Sequence, residues 1–242
     1  MYPIILQIGP LKVYSYGLMI AIAFLVCIFL ARKEARHYNL DPDKIYDLSF
    51  FVLVSGIIGG RILYVILNLP YYLENPKEII MLHHGGLVWF GAFGFALIGG
   101  IVFLKKNSLP IFKTLDFLAP YIALGHAIGR IGCFLNGCCY GRPAIWGVYF
   151  PIHQDKLIPI QLFESVFLLI LFFILINFRK HNHKTGMTFS LYVASYSLWR
   201  FAIEFLRADT PRHFFGLTIF QIISIVLFFG SLYAILYLKS RR

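Results

Sequence analysis

Apolar residues run along this chain in blocks about as long as a bilayer is thick, and short polar stretches separate them. A helix needs roughly 20 mostly apolar residues to cross the hydrocarbon core. Seven stretches qualify: 13–31, 46–67, 87–104, 115–136, 159–178, 187–206 and 217–238. The first, fifth and seventh are nearly free of charge. The second, fourth and sixth each hold one arginine before their ends, Arg61, Arg130 and Arg200. The third carries Gly91, Gly94, Gly99 and Gly100, which suits close helix packing. The pattern predicts an all-α, polytopic membrane protein with seven transmembrane helices in a single domain. The longest polar connections fall near 32–45, 68–86 and 137–158. The first stretch has no basic segment before it and further spans follow it, so it is expected to be a span rather than a signal peptide.

Composition agrees with this pattern. Of the 242 residues, 59% are hydrophobic and only 14% are charged, against about 25% charged in an average soluble domain. A soluble globule of this size would carry more charge, and intrinsic disorder needs low hydrophobicity. The formal charge of +11 would point to nucleic acid in a soluble protein. In a membrane protein it reports orientation and anionic lipid, and no nucleic-acid partner is expected.

The basic residues divide unevenly between alternate connections. One side holds Arg32, Lys33, Arg36, Lys44, Lys105, Lys106, Lys113, Arg179, Lys180, Lys184, Lys239, Arg241 and Arg242, thirteen of the 22 Lys and Arg. The other side holds six: Lys12, Lys77, Arg142, Lys156, Arg207 and Arg212. Basic loops stay inside, so the C-terminus is expected in the cytoplasm and, with seven spans, the N-terminus outside.

An ionisable group at membrane depth is costly and marks a candidate functional site. Arg61 follows Gly59-Gly60, where an arginine can snorkel to interfacial phosphate. Arg200, Glu204 and Arg207 fall at i, i+4 and i+7, on one face of a helix. They form either an ion-pair ladder between helices or a guanidinium held by Glu204 and aimed at an anion. Arginine suits phosphate because its planar fork presents paired donors. In the fourth span His126 and Arg130 share a face, and Gly129, Gly132, Gly137 and Gly141 permit close approach of backbone or ligand. Asn136-Gly137 is a turn signal. The helix is expected to break there beside a polar pocket, since irregular backbone at depth must line a cavity or be buried in protein. Gln161 and Glu164 share a face at the start of the fifth span, behind Pro159. Glu164 either pairs an intramembrane arginine or acts as a general base. His83 and His84 are expected in a solvated loop.

Cys27 lies in an apolar run, as a small core residue does. Cys133-x4-Cys138-Cys139 lacks a zinc spacing, so no metal is expected. A disulfide within this group is open in an oxidising compartment, though adjacent Cys138 and Cys139 would pair only with strain.

Taken together these segments resemble the prolipoprotein diacylglyceryl transferase family of bacterial inner-membrane enzymes. The resemblance rests on Tyr14-Ser15-Tyr16-Gly17-Leu18, Gly59-Gly60-Arg61, Gly85-Gly86-Leu87, Gly129-Arg130-Ile131-Gly132, Asn136-Gly137 and Gly141-Arg142-Pro143. It continues in Pro159 with Gln161-Leu162-Phe163-Glu164, and in Arg200-Phe201 with Glu204-Phe205-Leu206-Arg207. Each motif alone is weak, and their order over the whole chain is specific.

The resemblance implies transfer of the diacylglyceryl group of phosphatidylglycerol to the lipobox cysteine of a preprolipoprotein signal peptide. A thioether forms, glycerol phosphate leaves, and no metal or organic cofactor takes part. It further implies a site near the outer, periplasmic leaflet of the inner membrane. There Arg130 and Arg200 would bind the phosphodiester and stabilise the leaving phosphate, with Glu204 orienting Arg200. Tyr16 would donate to the head group, Asn136, Gly137 and Gly141 would shape the pocket wall, and Arg61 and Glu164 would hold the polar core around the substrate.

Two positions depart from the family pattern. Phe90 stands where many members have a histidine proposed as the base, and Cys133 stands where many have asparagine. His126, His84, Tyr16 and Glu164 are the alternative bases, with His126 the candidate carried forward. The same departures motivate a second reading, a paralogue that binds or moves anionic phospholipid or acts on a different acceptor.

Overall fold

The computed structural model describes residues 1–9, 11–81, 85–181, 183–211 and 216–240. The chain enters through a two-stranded hairpin, β1 (Ile4–Ile8) and β2 (Leu11–Tyr14). Then come α1 (Ser15–Ala35), α2 (Pro42–Leu67), a short α3 (Leu69–Glu74), α4 (Trp89–Lys106) and α5 (Ile111–Asn136). A second hairpin, β3 (Pro143–Phe150) with β4 (Asp155–Leu157), precedes α6 (Ile160–Arg179), α7 (Met187–Ile203) and α8 (Ile219–Ser240). His83, His84 and Arg212 lie outside the described residues.

Six of these helices, α1, α2, α4, α5, α6 and α8, are long and apolar enough to cross a membrane. The protein is therefore a mostly helical, multi-pass membrane protein. Two corrections to the all-α expectation follow. The second hairpin occupies part of the stretch read as a polar connection, and the first lies before the first span and at its edge. The sixth apolar block also breaks early: α7 ends at Ile203, and 204–206 tighten into a 3₁₀ turn. Elsewhere the helices overrun the apolar blocks by a few residues. At α2 the cause is local, because the Asp41 carboxylate accepts the Asp43 N–H at 2.9 Å and Pro42 opens the first turn.

The chain packs as two compact units, residues 32–114 and residues 1–31 with 115–242. In the first unit α2 and α4 meet backbone to backbone. A Cβ on Gly59 would collide with the Phe95 side chain and stand 2.6 Å from the Gly91 carbonyl. One on Gly99 would stand 2.6 Å from Ser55 Oγ. Small residues at such contacts let helices gain dispersion energy where lipid gives no hydrophobic drive.

In the second unit α5 is central. Half of its most apolar window is buried, against 17% for α1 and for α8. Gly125, Gly129 and Gly132 of α5 present a small face on which Cys27, Ile20 and Met19 of α1 rest. Ala123 and Ala127 pack with Leu168, Leu171 and Leu175 of α6 and with Tyr192 and Tyr196 of α7. The end of α5 is fixed by backbone pairing. Gly141 N–H donates to Ile158 at 2.9 Å, and Arg142 N–H donates to Leu206 at 2.9 Å. These bonds draw the residues after α5, before α6 and after α7 to one place.

Candidate functional site

At that place the second unit gathers its intramembrane charges. Arg130, three-quarters of the way along α5, donates from Nη2 to Glu164 Oε1 at 3.0 Å. Glu164, in the first turns of α6, is fully buried. The same carboxylate oxygen accepts from the Tyr196 hydroxyl of α7 at 3.2 Å. His126, one turn before Arg130, lies edge-on to the Tyr196 ring, with Nε2 3.5 Å from the hydroxyl. Arg130, Glu164, Tyr196 and His126 thus form one chain of contacts across three helices. Of the two roles open for Glu164, the geometry displays the arginine partner.

Arg200 is near the end of α7. Its Nη2 forms an ion pair with Glu204 Oε2 at 2.8 Å, and its guanidinium lies over the Phe220 ring at 5.1 Å. Glu204 is buried, and its other oxygen accepts from Thr218 Oγ1 at 2.9 Å. Tyr196 stands one turn before Arg200 on α7, so the helix that carries Arg200 also carries a member of the Arg130 cluster.

The helical ladder expected from Arg200, Glu204 and Arg207 is replaced by a different geometry. Because α7 ends at Ile203, Arg207 has extended backbone (φ −74°, ψ 146°) and approaches Glu204 only to 3.7 Å. It grips Asp209 with a two-pronged fork, Nε to Oδ1 at 2.9 Å and Nη2 to Oδ2 at 2.7 Å. Burial opposes the Arg207 charge, and the hydrogen-bonded Asp209 carboxylate more than offsets it, holding the guanidinium above its ordinary range.

The decisive feature is what the two arginines leave unpaired. Among the described residues, Arg130 Nε, Arg200 Nη1 and the Trp199 indole N–H are buried donors without an acceptor. An orphaned buried donor is costly. Two of the three belong to guanidinium groups, whose planar donors suit a polyoxygen anion.

The remaining sequence candidates take supporting places. Asn136 is the last residue of α5. Gly137 reverses the chain at φ +77°. A Cβ on Gly141 would meet Ile158 Cβ at 2.7 Å, so this glycine serves close approach of two segments. Tyr16 stands half-exposed in the first turn of α1, with its Cα beside Gly132. Gln161, fully buried, donates to the Cys138 carbonyl at 2.6 Å.

Arg61 departs from its expected role. It belongs to the other unit, where all five of its N–H donors go to backbone carbonyls: Nε to Ile79, Nη1 to Gly85 and Gly86, and Nη2 to Glu78 and Met81. Tyr64 and Tyr72 flank it at 5.7 and 5.4 Å. In this arrangement every Arg61 donor is taken up by residues 78, 79, 81, 85 and 86. Tyr196, Trp199 and Thr218 escaped the sequence reading. The useful signal in retrospect is a hydroxyl or indole one turn, or one residue, from an intramembrane arginine.

Comparison with known proteins shows the family. The family model described as prolipoprotein diacylglyceryl transferase matches residues 3–237. The chain belongs to the prolipoprotein diacylglyceryl transferase family. A Clostridium tetani relative (strain Massachusetts / E88) is 35% identical over 232 residues, covering 93% of each chain. A Staphylococcus aureus relative (strain MSSA476) is 36% identical over 251 aligned positions, covering 99% of this chain and 90% of its own. Both carry the name phosphatidylglycerol–prolipoprotein diacylglyceryl transferase. Within this family framework the departures keep their places. Phe90 is half-exposed in the first turn of α4, edge-on to Trp89, and Cys133 is buried one turn after Arg130.

Proposed function

We propose that this protein transfers the diacylglyceryl group of phosphatidylglycerol to the lipobox cysteine of a preprolipoprotein signal peptide. The observation that carries the reading is the pair Arg130 and Arg200. Each is paired with a buried carboxylate, and each keeps a buried N–H that has no acceptor. The donor's phosphodiester supplies the missing acceptors.

In the reaction the thiol loses its proton and its sulfur attacks the glyceryl carbon next to the phosphodiester oxygen. The S–C bond forms, the C–O bond breaks, and the electron pair leaves on glycerol phosphate. Charge grows on the leaving phosphate, so fixed guanidinium groups in a low-dielectric site stabilise the transition state more than the ground state. Glu164 and Tyr196 set the angle of Arg130, and Glu204 with Thr218 sets that of Arg200. A free thiol with a pKa of about 8.5 is partly ionised near neutrality, so Phe90 in place of a histidine does not block the reaction. His126 packs against Tyr196 and positions it. Tyr16, Asn136, Gly137 and Gly141 border the entrance to this region.

We further propose that α7 is a seventh span despite its polar end, in a single transferase domain, with the N-terminus outside and the C-terminus cytoplasmic. The charge bias supports that orientation. It puts the ends of α5 and α7 near the outer leaflet of the bacterial inner membrane, where acyl chains lie laterally in lipid while the head group reaches the arginines. The +11 charge then meets lipid phosphate, and nucleic acid is no partner.

The test is release of glycerol phosphate by the pure protein in bilayers. Release that needs both phosphatidylglycerol and a lipobox peptide, and fails with phosphatidylethanolamine, supports the reading. Tight phosphatidylglycerol binding without release would favour the paralogue that binds or moves lipid.

A further inference from the structure

The transfer chemistry makes no use of the three thiols that follow Arg130. Cys133 lies on α5, and Cys138 and Cys139 lie in the turn that ends it. Their Sγ atoms come within 4.8 Å of one another, and all three are free. Nothing in the Cys133-x4-Cys138-Cys139 spacing announces this. The chain reverses through two left-handed residues, Gly137 at φ +77° and Cys139 at φ +62°. A side chain disfavours that conformation, so the surroundings hold Cys139 in it.

Those surroundings are firm. Cys138 N–H donates to Cys133 at 3.1 Å, and Gly137 N–H to Phe134 at 3.1 Å. The buried Gln161 amide pins the Cys138 carbonyl. Beyond the cysteines, Ala208 N–H donates to Tyr140 at 3.4 Å, and Gly141 pairs with Arg207. The turn is anchored on both sides of the sulfur atoms and projects them to one point.

We propose that Cys133, Cys138 and Cys139 form a three-sulfur site for a soft, thiophilic cation of the Zn(II), Cd(II) or Cu(I) class. A cation bonded to three thiolates at about 2.3 Å sets its sulfur atoms roughly 4 Å apart, and the three Sγ atoms already lie within 4.8 Å of one another. Soft thiolate ligands without a hard oxygen ligand select this class over Mg(II) or Ca(II). Binding converts three thiols to thiolates and releases three protons, which leaves one or two surplus negative charges on the complex. Arg130, one turn before Cys133 on α5, and Arg207, paired with Gly141 just beyond the turn, are cations of the sign that offsets this surplus. A disulfide would use two of the three sulfur atoms and leave the third idle. The cation takes no part in diacylglyceryl transfer. It staples the 137–141 turn to the end of α5.

The experiment is titration of the full-length protein, purified in detergent and kept reduced with a phosphine, with Cd(II) alone. Thiolate-to-cadmium charge-transfer absorbance and metal content after desalting are the readouts. The expected result is one Cd(II) per chain. Affinity should fall at least tenfold in Cys138→Ser and in Cys139→Ser and stay unchanged in Cys27→Ser. Cys139→Gly accepts the left-handed backbone, so it separates loss of the ligand from loss of the fold. Sub-stoichiometric binding, binding that follows Cys27, or undiminished binding in Cys139→Gly would overturn the proposal. So would a Cys133–Cys138 or Cys133–Cys139 disulfide that withstands the reductant.

Discussion

Arg130 reaches Glu164 with one end of its guanidinium, Nη2 to Oε1 at 3.0 Å, while its equally buried Nε meets no acceptor. One interaction fixes the direction of the cation, and the other is left for a ligand. Arg200 repeats the arrangement with Glu204. Removing one donor that stabilises developing charge costs about 10²–10³ in kcat. Arg130→Ala and Arg200→Ala are each expected to lose at least that much transfer activity while the protein still inserts in the membrane. Rates within threefold of wild type for both variants would count against the assignment.

Glu164 accepts from Arg130 and Tyr196 donates to Glu164, so the two are proposed to position the guanidinium. Glu164→Gln keeps a hydrogen-bond acceptor and removes the charge, and Tyr196→Phe removes only the 3.2 Å hydroxyl bond. A neutral hydrogen bond contributes roughly 0.5–1.5 kcal/mol net, so Tyr196→Phe should cost no more than about tenfold. Glu164→Gln should cost more and raise KM for phosphatidylglycerol as well as lower kcat. Titrating the lipid at fixed peptide measures the split. A Tyr196→Phe loss as large as that of Arg130→Ala would show that the hydroxyl touches the reacting groups.

Arg61 makes a different prediction because its partners are all carbonyls. Arg61→Ala leaves buried acceptors unpaired at about 1–3 kcal/mol each. The variant should melt at lower temperature in detergent, with faster amide exchange confined to residues 78–81 and 85–86. Lysine, a point charge with three donors, should not restore it. If Arg61→Lys were fully stable but inactive, Arg61 would have to be a phosphate ligand after all.

The α2–α4 contact gives a control pair. Gly59→Ala must push apart two helices in backbone contact, and overpacking of this kind costs about 1–3 kcal/mol. A Cβ on Gly230 of α8 meets nothing within 4 Å, so Gly230→Ala should leave detergent stability unchanged. Equal thermal stability of the two variants would show that the close approach is not needed.

Much of this was legible from the chain, for a physical reason. Hydrocarbon demands long apolar runs, so the helices were visible as blocks, and Arg130, Arg200 and Glu204 stood out because charge inside such a run is expensive. The early end of α7 was not legible. Spacing of i, i+4 and i+7 places residues on one face only while the helix persists, and the backbone pairing of Arg142 with Leu206 draws the chain out of it. The hairpins were hidden because strands such as Ile4–Ile8 are short and apolar, and short apolar runs have no distinct period. Tyr196 counted as a hydrophobic residue of a span, and only the fold shows its hydroxyl on the carboxylate that pairs Arg130. The opposite happened with Arg61, whose charge drew attention while its donors serve the backbone.

The most direct measurement is the intact mass of a lipobox peptide after incubation with the pure protein in phosphatidylglycerol bilayers. The account predicts a diacylglyceryl increment on the peptide cysteine with wild type, and none with Arg130→Ala, with Arg200→Ala or with the peptide cysteine replaced by serine. An unmodified peptide with folded wild type, or full modification by both arginine variants, would contradict it.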